Sequence, residues 1–212
     1  MSGLLDLLNS PIGKSLISGA SAKTGQSEDK TAGLLSMALP VLMGAMKKNV
    51  QTPEGAAGLM GALSGKHSGS ILDSLGDIMG NGGPDESTMQ DGAGILGHLL
   101  GGKQPQVENA LSRKSGIDAG SVAQILKIAA PVLMGVLGKQ TKENNIKDGN
   151  DMNTLLGSML GGQPQENQSL ISSLLDADGD GSILDDVAGM VLGSSKKKGG
   201  LGGLLGGLFG GK

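Results

Sequence analysis

Apolar residues recur at every third or fourth position in two long segments of the chain. In the first segment they are Leu34, Leu35, Ala38, Val41, Leu42 and Ala45, and in the second they are Ile125, Leu126, Ala129, Val132, Leu133 and Val136. Because an α-helix has about 3.6 residues per turn, this spacing places each set on one face of a helix. The pattern therefore predicts two helices, each with one buried apolar stripe.

Pro40 and Pro131 lie inside these two patterns. A proline within a helix removes one backbone hydrogen bond and bends the helix, unless it begins a new helix. Shorter stretches with helical spacing are found at residues 56–63, 70–79, 94–100, 107–113, 152–160, 169–175 and 183–192. Glycine-rich junctions such as residues 80–84 separate them, and no stretch has the pattern of a strand. The predicted fold class is all-α, a helical bundle.

The pentapeptide PVLMG occurs twice, at residues 40–44 and 131–135, an offset of 91 positions. The same offset, without a gap, pairs identical residues at Gly3, Leu5, Leu8, Ser21, Lys23, Gly25, Ala32, Leu35 and Ala38. A repeat of this length indicates duplication of a multi-helix module. We predict two divergent copies, residues 1–92 and 93–193, followed by a Gly/Leu-rich tail at residues 194–212.

Three stretches of the sequence resemble a known family. They are GILGHLLGGKQPQVENALSRKSGID at residues 94–118, the repeated PVLMG helix, and LLDADGDGSILDDVAG at residues 174–189. Together they are similar to the bacterial DUF937 family, which includes YidB-like proteins, and the resemblance extends to about residue 192. It implies a small helical fold of unknown function and no catalytic residue.

The composition limits the kind of core that these helices can form. The chain has no Trp, Tyr or Cys and a single Phe, whereas it has 40 Gly and 11 Met. The core is therefore expected to consist of Leu, Ile, Val, Met and Ala, with helices close together over Gly and Ala and with Met filling irregular space. Disulfides and thiolate metal sites are excluded.

Charge and chain termini bear on partners and location. The formal net charge is −3, from 17 basic and 20 acidic residues, and aromatic side chains that stack on bases are missing, so nucleic acid is not an expected partner. Residues 1–10 lack a basic start and carry Asp6 among leucines, unlike a signal peptide. Every apolar run is interrupted before the about 20 residues that span a bilayer. We expect a cytoplasmic protein.

The sharpest local motif is DADGDG, in which Asp176, Asp178 and Asp180 stand at alternate positions before Gly181. Three carboxylates at this spacing can converge on one hard cation, and the glycine permits a sharp turn. The arrangement is typical of the first half of an EF-hand or dockerin-like loop. It predicts a calcium site.

The second half of this loop departs from the calcium pattern, because Val187 stands at the twelfth position in place of a glutamate. A shortened loop can be closed by Asp185 or Asp186, with Ser182 offering its backbone carbonyl. The candidate ligands are therefore Asp176, Asp178, Asp180, Ser182, Asp185 and Asp186. In the alternative interpretation, an acidic turn caps the helix that follows. The aligned residues 77–91 lack this spacing, so we expect one site, with a structural role.

Two glycine patterns resemble phosphate-binding loops, GAGILG at residues 92–97 and GxxxxGK at residues 97–103. A dinucleotide loop needs a preceding strand and a phosphate loop needs Ser or Thr after the lysine, which here is followed by Gln104. Close helix packing explains these glycines better.

His67 and His98, the two histidines, lie far apart in sequence and have no carboxylate or Cys cluster beside them, so a zinc site is not expected. His98, on an apolar helix, is expected to be a partly buried packing residue. No nucleophile, base and orienting partner can be named together, and no enzyme is predicted.

The tail KKKGGLGGLLGGLFGGK, residues 196–212, places Leu201, Leu204, Leu205, Leu208 and Phe209 at helical spacing. Its paired glycines lower helix propensity and favour disorder. The tail can instead lie on an anionic membrane, steered by its three lysines, or dock into a groove of another subunit.

Repeat, loop and tail together favour a non-enzymatic helical scaffold or interaction protein that can bind calcium. In this hypothesis the tail mediates either self-association into a homo-oligomer or docking to a protein partner. The alternative is a peripheral membrane or envelope-associated protein that the same tail anchors.

Overall fold

The structure, a computed structural model, describes residues 4–79, 83–161 and 165–175. The helices in these ranges are α1 (Leu4–Asn9), α2 (Pro11–Thr24), α3 (Glu28–Asn49), α4 (Pro53–Ser64), α5 (Leu75–Met79), α6 (Glu86–Leu100), α7 (Gln104–Ser115), α8 (Ala119–Glu143), α9 (Gly149–Leu160) and α10 (Gln165–Leu175). Single 3-10 turns at Ser70–Leu72 and Gly101–Lys103 complete them. The described ranges contain no strand, so the predicted all-α fold class is confirmed.

Side chains that accept a hydrogen bond from the first turn define where most helices begin. These capping residues are Ser10, Ser27, Thr52, Asp85, Asp118 and Asp148. The side-chain oxygen satisfies an amide that has no partner within its own helix. At the other end, α2 and α7 stop at Gly25 and Gly116, whose left-handed φ angles are 67° and 68°.

The two longest helices, α3 and α8, form the centre of the fold. All residues at positions 38–46 of α3 and 128–138 of α8 are buried. The prediction of one buried stripe per helix is therefore wrong over these stretches. The reason is that α3 and α8 contact each other and are covered on their remaining sides, α8 by α2, α4, α6 and α7 and α3 by α9 and α10.

Both prolines lie inside the central helices, Pro40 in α3 and Pro131 in α8. The alternative that each begins a new helix is wrong, because the helix continues on both sides of the proline. The bend that a proline imposes stays a prediction.

The sequence analysis did not predict α1 and α2, and two further helix boundaries differ from those that it predicted. Residues 70–79 form a 3-10 turn followed by α5 instead of one helix, and Gly69 just before them has φ 103° where the backbone passes close to Lys139 of α8. Helix α6 begins at Glu86 instead of residue 94. The apolar spacing did not predict its first half, because the polar residues there lie on its outer side. The predicted division between residues 92 and 93 falls within α6 and stays a prediction.

Positions that the offset of 91 pairs have similar surroundings. Gly44 of α3 lies against Ile171 of α10, and Gly135 of α8 lies against Ile71 in the turn before α5. In both cases the missing side chain admits an isoleucine from the other predicted copy. Duplication of the module is consistent with this pairing and stays a prediction.

Among the described residues, α8 alone is long and apolar enough to cross a membrane by length and composition, with a mean hydropathy of 1.6. Lys127, Gly135 and Gly138 interrupt its apolar run, as the sequence analysis expected. Because 67% of the apolar window is buried inside the fold, α8 has the character of a core helix.

Candidate functional site

A groove of about 800 Å³ lies between α4 and α6, above α8. Its apolar and glycine lining consists of Gly55, Gly58, Leu59, Ala62, Gly94, Ile95, Leu99 and Met134. Its polar lining consists of Asn49, Glu54, Lys66, His67, Ser87, Gln90, Asp91 and His98. Ligand sites combine this range of volume and an apolar surface with a few polar groups, so the groove is the candidate functional site.

Two contacts show that α4 and α6 run in opposite directions along the groove. Asn49, just before α4, donates a hydrogen bond from Nδ2 to the carbonyl oxygen of His98 near the end of α6, at 3.4 Å. Lys66, just after α4, pairs through Nζ with Oδ1 of Asp91 in the first half of α6, at 2.7 Å. The lining residues of α6, 87–99, therefore form a wall about 18 Å long, or about three helical turns.

Each wall of the groove has a glycine position where no side chain projects. A Cβ atom built on Gly58 of α4 or Gly94 of α6 meets nothing within 4 Å. Beneath them, Leu59 and Ile95 are 7% and 8% exposed and form a packed floor, while Leu99 remains partly accessible. A ligand in the groove therefore contacts glycine backbone and partly exposed apolar side chains at once.

One end of the groove holds two titratable side chains, Lys66 and His67, beside the carboxylate of Asp91. Oδ1 of Asp91 lies 2.7 Å from Nζ of Lys66 and 3.7 Å from Nε2 of His67. His67 is 6% exposed, and this burial lowers the pKa of its imidazole. The carboxylate of Asp91 acts in the opposite sense, and the ammonium of Lys66 lowers the pKa further. Burial therefore disfavours the protonated form of the imidazole.

The backbone of His67 is fixed from two sides. Its amide donates to the carbonyl oxygen of Ala62 at 3.0 Å, in the turn that ends α4. Its own carbonyl oxygen lies against Gly138 of α8, where a Cβ atom would overlap it. Because Gly138 has no side chain, the turn after α4 contacts α8 directly. This contact places His67 beside Asp91.

The groups of the groove are arranged to orient a ligand. Ser87, the hydroxyl residue of the lining, donates from Oγ to the carboxylate oxygens of Asp85 at 3.1 Å. A nucleophile that is activated by a base needs its hydroxyl about 2.6–3.2 Å from that base. The hydroxyl of Ser87 is at this distance from the carboxylate of Asp85, and it makes no hydrogen bond to His67. One end of the apolar groove instead offers hydrogen bonds and charge from His67, Lys66 and Asp91.

The candidate calcium ligands Asp176, Asp178, Asp180, Ser182, Asp185 and Asp186 lie outside the described residues. Within residues 4–79, 83–161 and 165–175 no group of three or more His, Cys, Asp or Glu side chains is placed to hold a metal ion. The calcium prediction is therefore untested by the structure. The tail that begins at residue 194 also lies outside the described residues.

The structure corrects the interpretation of both histidines. His98 is exposed at the surface of α6 instead of partly buried, whereas His67 is buried. Both line the same groove, although they lie far apart in sequence. Asp91 beside His67 was missed, and the available signal was the spacing of Asp91, Gly94 and His98, which places them on one face of α6.

Close helix packing, the expected role of the glycines in these patterns, holds for only some of them. GAGILG falls inside α6, which excludes a strand-to-helix phosphate loop. Gly92 packs directly on the backbone of Lys127 in α8. Gly94 and Gly97 face open space, and Gly94 lines the groove.

A family model described as "Bacterial protein of unknown function (DUF937)" matches residues 6–140 and 144–212. The break at residues 141–143 falls where α8 ends, inside the predicted second copy. No curated protein and no solved structure matches the chain. The resemblance noted from the sequence is confirmed.

Proposed function

From the premise that the chain belongs to the DUF937 family of bacterial proteins of unknown function, we propose that it is a non-enzymatic helical scaffold that docks an apolar helical segment between α4 and α6. The observation that carries this proposal is the pair of low, glycine-bearing walls that face each other over about three helical turns. Protein grooves of this kind accept an amphipathic helix through anchors at i, i+3, i+4 and i+7.

The glycines support a helix as the bound partner. Where no side chain projects from Gly58 or Gly94, the backbone of a bound helix can approach closely. The carboxylates of Glu54 and Asp91 stand toward the two ends of the groove, on either side of its apolar middle. A segment with apolar residues along one face and polar or cationic groups at its ends fits this distribution.

A labelled peptide of about 11 residues, with leucines on one helical face, tests the proposal by fluorescence anisotropy. Gly58→Leu places a side chain in the groove at a position where the added Cβ atom meets nothing within 4 Å, and it should weaken binding at least about tenfold. Gly33→Leu is the matched control, since Gly33 is an exposed helical glycine of α3 whose Cβ position is also open. Equal binding by the wild type and Gly58→Leu would contradict the proposal.

Calcium binding is a second part of the proposed function and rests on the spacing of Asp176, Asp178 and Asp180 alone. In this view the ion orders the acidic loop without taking part in a reaction.

The rival function is attachment to a membrane surface through Lys196–Lys198 and the leucines that follow. Flotation with vesicles of phosphatidylcholine and phosphatidylglycerol separates the two. The scaffold proposal expects the protein to stay in the dense fractions. Flotation of the wild type that is lost in the double variant Leu204→Asp/Leu208→Asp would favour the membrane function instead.

A further inference from the structure

The C-terminal residues 203–212 repeat part of the groove wall. GLLGGLFGGK at residues 203–212 matches GILGHLLGGK at residues 94–103 without a gap, at an offset of 109 positions. Seven of the ten positions are identical, and two of the other three stay apolar, Ile95 with Leu204 and Leu100 with Phe209. The glycines, the leucine spacing and the final lysine all recur.

The structure shows what this pattern does in its first occurrence. In α6, Ile95, Leu96 and Leu100 are 8%, 0% and 6% exposed, because they form the stripe that packs on the central helices. Gly94 and Gly97 lie on the opposite side, in open space. A segment with this pattern therefore forms a helix face that is stable only when another helical surface covers it.

We infer that the segment docked in the groove is residues 203–212 of a second copy of this chain. This inference rests on the proposed function and names its partner. The ten residues span about 15 Å as a helix, which fits within the about 18 Å of the α6 wall. Leu204, Leu205, Leu208 and Phe209 fall on one face and can lie on the apolar floor, since Gly58 and Gly94 leave room for them.

Charge agrees with the same placement. Lysines flank the apolar part of the tail, Lys196–Lys198 before it and Lys212 at its end. The groove carries the carboxylate of Glu54 near one end and, near the other, that of Asp91, which already pairs with Lys66. Because the groove of one copy receives the tail of the next, the contact is head-to-tail, and assembly should grow with protein concentration.

The absence of cysteine from the chain permits a clean cross-linking test in the full-length protein. Gly58→Cys protein, isotope-labelled, is mixed with unlabelled Gly206→Cys protein and a short bis-maleimide. A product that contains one chain of each mass joins the groove of one copy to the tail of another. We expect this mixed dimer to form at least about tenfold faster than with Gly33→Cys, an equally open glycine on α3.

A second variant tests whether the apolar stripe drives the contact. Adding Leu204→Asp and Leu208→Asp to the Gly206→Cys chain should abolish the preference and leave the unfolding transition of the helical body unchanged. Equal rates for Gly58→Cys and Gly33→Cys would overturn the inference, and so would products confined to single chains at all concentrations. Flotation on anionic vesicles without preferential cross-linking would overturn it in favour of lipid.

The two proposals fail in distinguishable ways. If the leucine peptide binds the groove but Gly58→Cys and Gly33→Cys react equally with the tail, the inference about the partner is wrong and the proposed function stands. If the peptide also fails to discriminate Gly58→Leu from the wild type, both are wrong.

Discussion

A Cβ atom on Gly92 would overlap the backbone oxygen of Lys127, so helices α6 and α8 touch backbone to backbone at this point. Gly92→Ala must separate the two helices along their shared contact. We expect this change to lower the free energy of unfolding by about 1–3 kcal/mol, the cost of overpacking a close contact. Urea denaturation followed by circular dichroism measures the effect.

Gly97→Ala on the same helix is the matched control. Gly97 is exposed, and its Cβ position meets nothing within 4 Å, so alanine adds helix propensity without a clash. We expect a gain of about 0.5–1 kcal/mol. Similar losses in both variants would show that α6 tolerates no alanine for reasons other than contact with Lys127.

The glycines that end α2 and α7 have a different role. Their substitution lowers stability through backbone strain and not through a steric clash. A Cβ atom at Gly25 or Gly116 meets nothing within 4 Å, yet φ is 67° and 68°. Gly25→Ala and Gly116→Ala should each lower the free energy of unfolding by about 1 kcal/mol, with additive effects in the double variant. Substitution of both without loss of stability in urea would contradict the left-handed caps.

Protonation of His67 should make stability depend on pH. Because burial lowers the pKa of His67 below its ordinary value of 6.5, the unfolded chain takes up the proton first as the pH falls. The contribution to stability is therefore complete above pH 6.5 and is lost as the pH falls below that value toward the folded pKa. Urea midpoints at about pH 7.5 and about pH 5.5 should differ more in the wild type than in His67→Gln.

His98→Gln serves as the control for this measurement. His98 lines the same groove but is exposed, and the variant keeps His67 with both of its charged neighbours, Asp91 and Lys66. It should retain the pH dependence of the wild type. An unchanged difference between the two pH values in His67→Gln would assign the effect to other groups.

Calcium should raise the melting temperature of the wild-type protein through the DADGDG loop. At a free concentration 100 times the dissociation constant, an ion that binds only the folded form adds about 2.7 kcal/mol. The double variant Asp178→Asn/Asp180→Asn removes two of the alternating carboxylates and should lose this shift. Addition of EDTA should reverse it in the wild type.

Asp73→Asn/Asp77→Asn is the control for the calcium experiment. It removes two exposed carboxylates from the first half of the chain, where the alternating spacing is absent. This variant should keep the calcium-dependent shift. Identical melting of the wild type with calcium and with EDTA would instead favour the alternative in which the acidic turn caps a helix.

Local patterns predicted most of the fold. The apolar spacing around Pro40 and Pro131 located the two central helices, because helical periodicity is a property of neighbouring residues. The same signal placed α4, α7, α9 and α10 within a few residues. It missed α1 and α2. It also missed the first half of α6, where residues 86–91 are polar apart from Met89 and lie mostly toward solvent, so they show no apolar spacing.

The candidate site was far less accessible from the sequence. The loop with Asp176, Asp178 and Asp180 drew attention because its ligands are neighbours in the chain, and it lies outside the described residues. The groove depends on contacts such as Lys66 with Asp91 and Asn49 with His98, which join separate helices. No local spacing encodes such a pair.

By itself, then, the sequence determined the all-α class, the family and the position of the long helices, since each depends on residues close together in the chain. The tertiary structure decided that α3 and α8 are buried on all sides, that His67 lies under Asp91, and that the glycines of α4 and α6 face each other across a groove. These features depend on how helices cross. Crossing is set by close contacts such as that of Gly138 with the carbonyl of His67, between residues that are 71 positions apart.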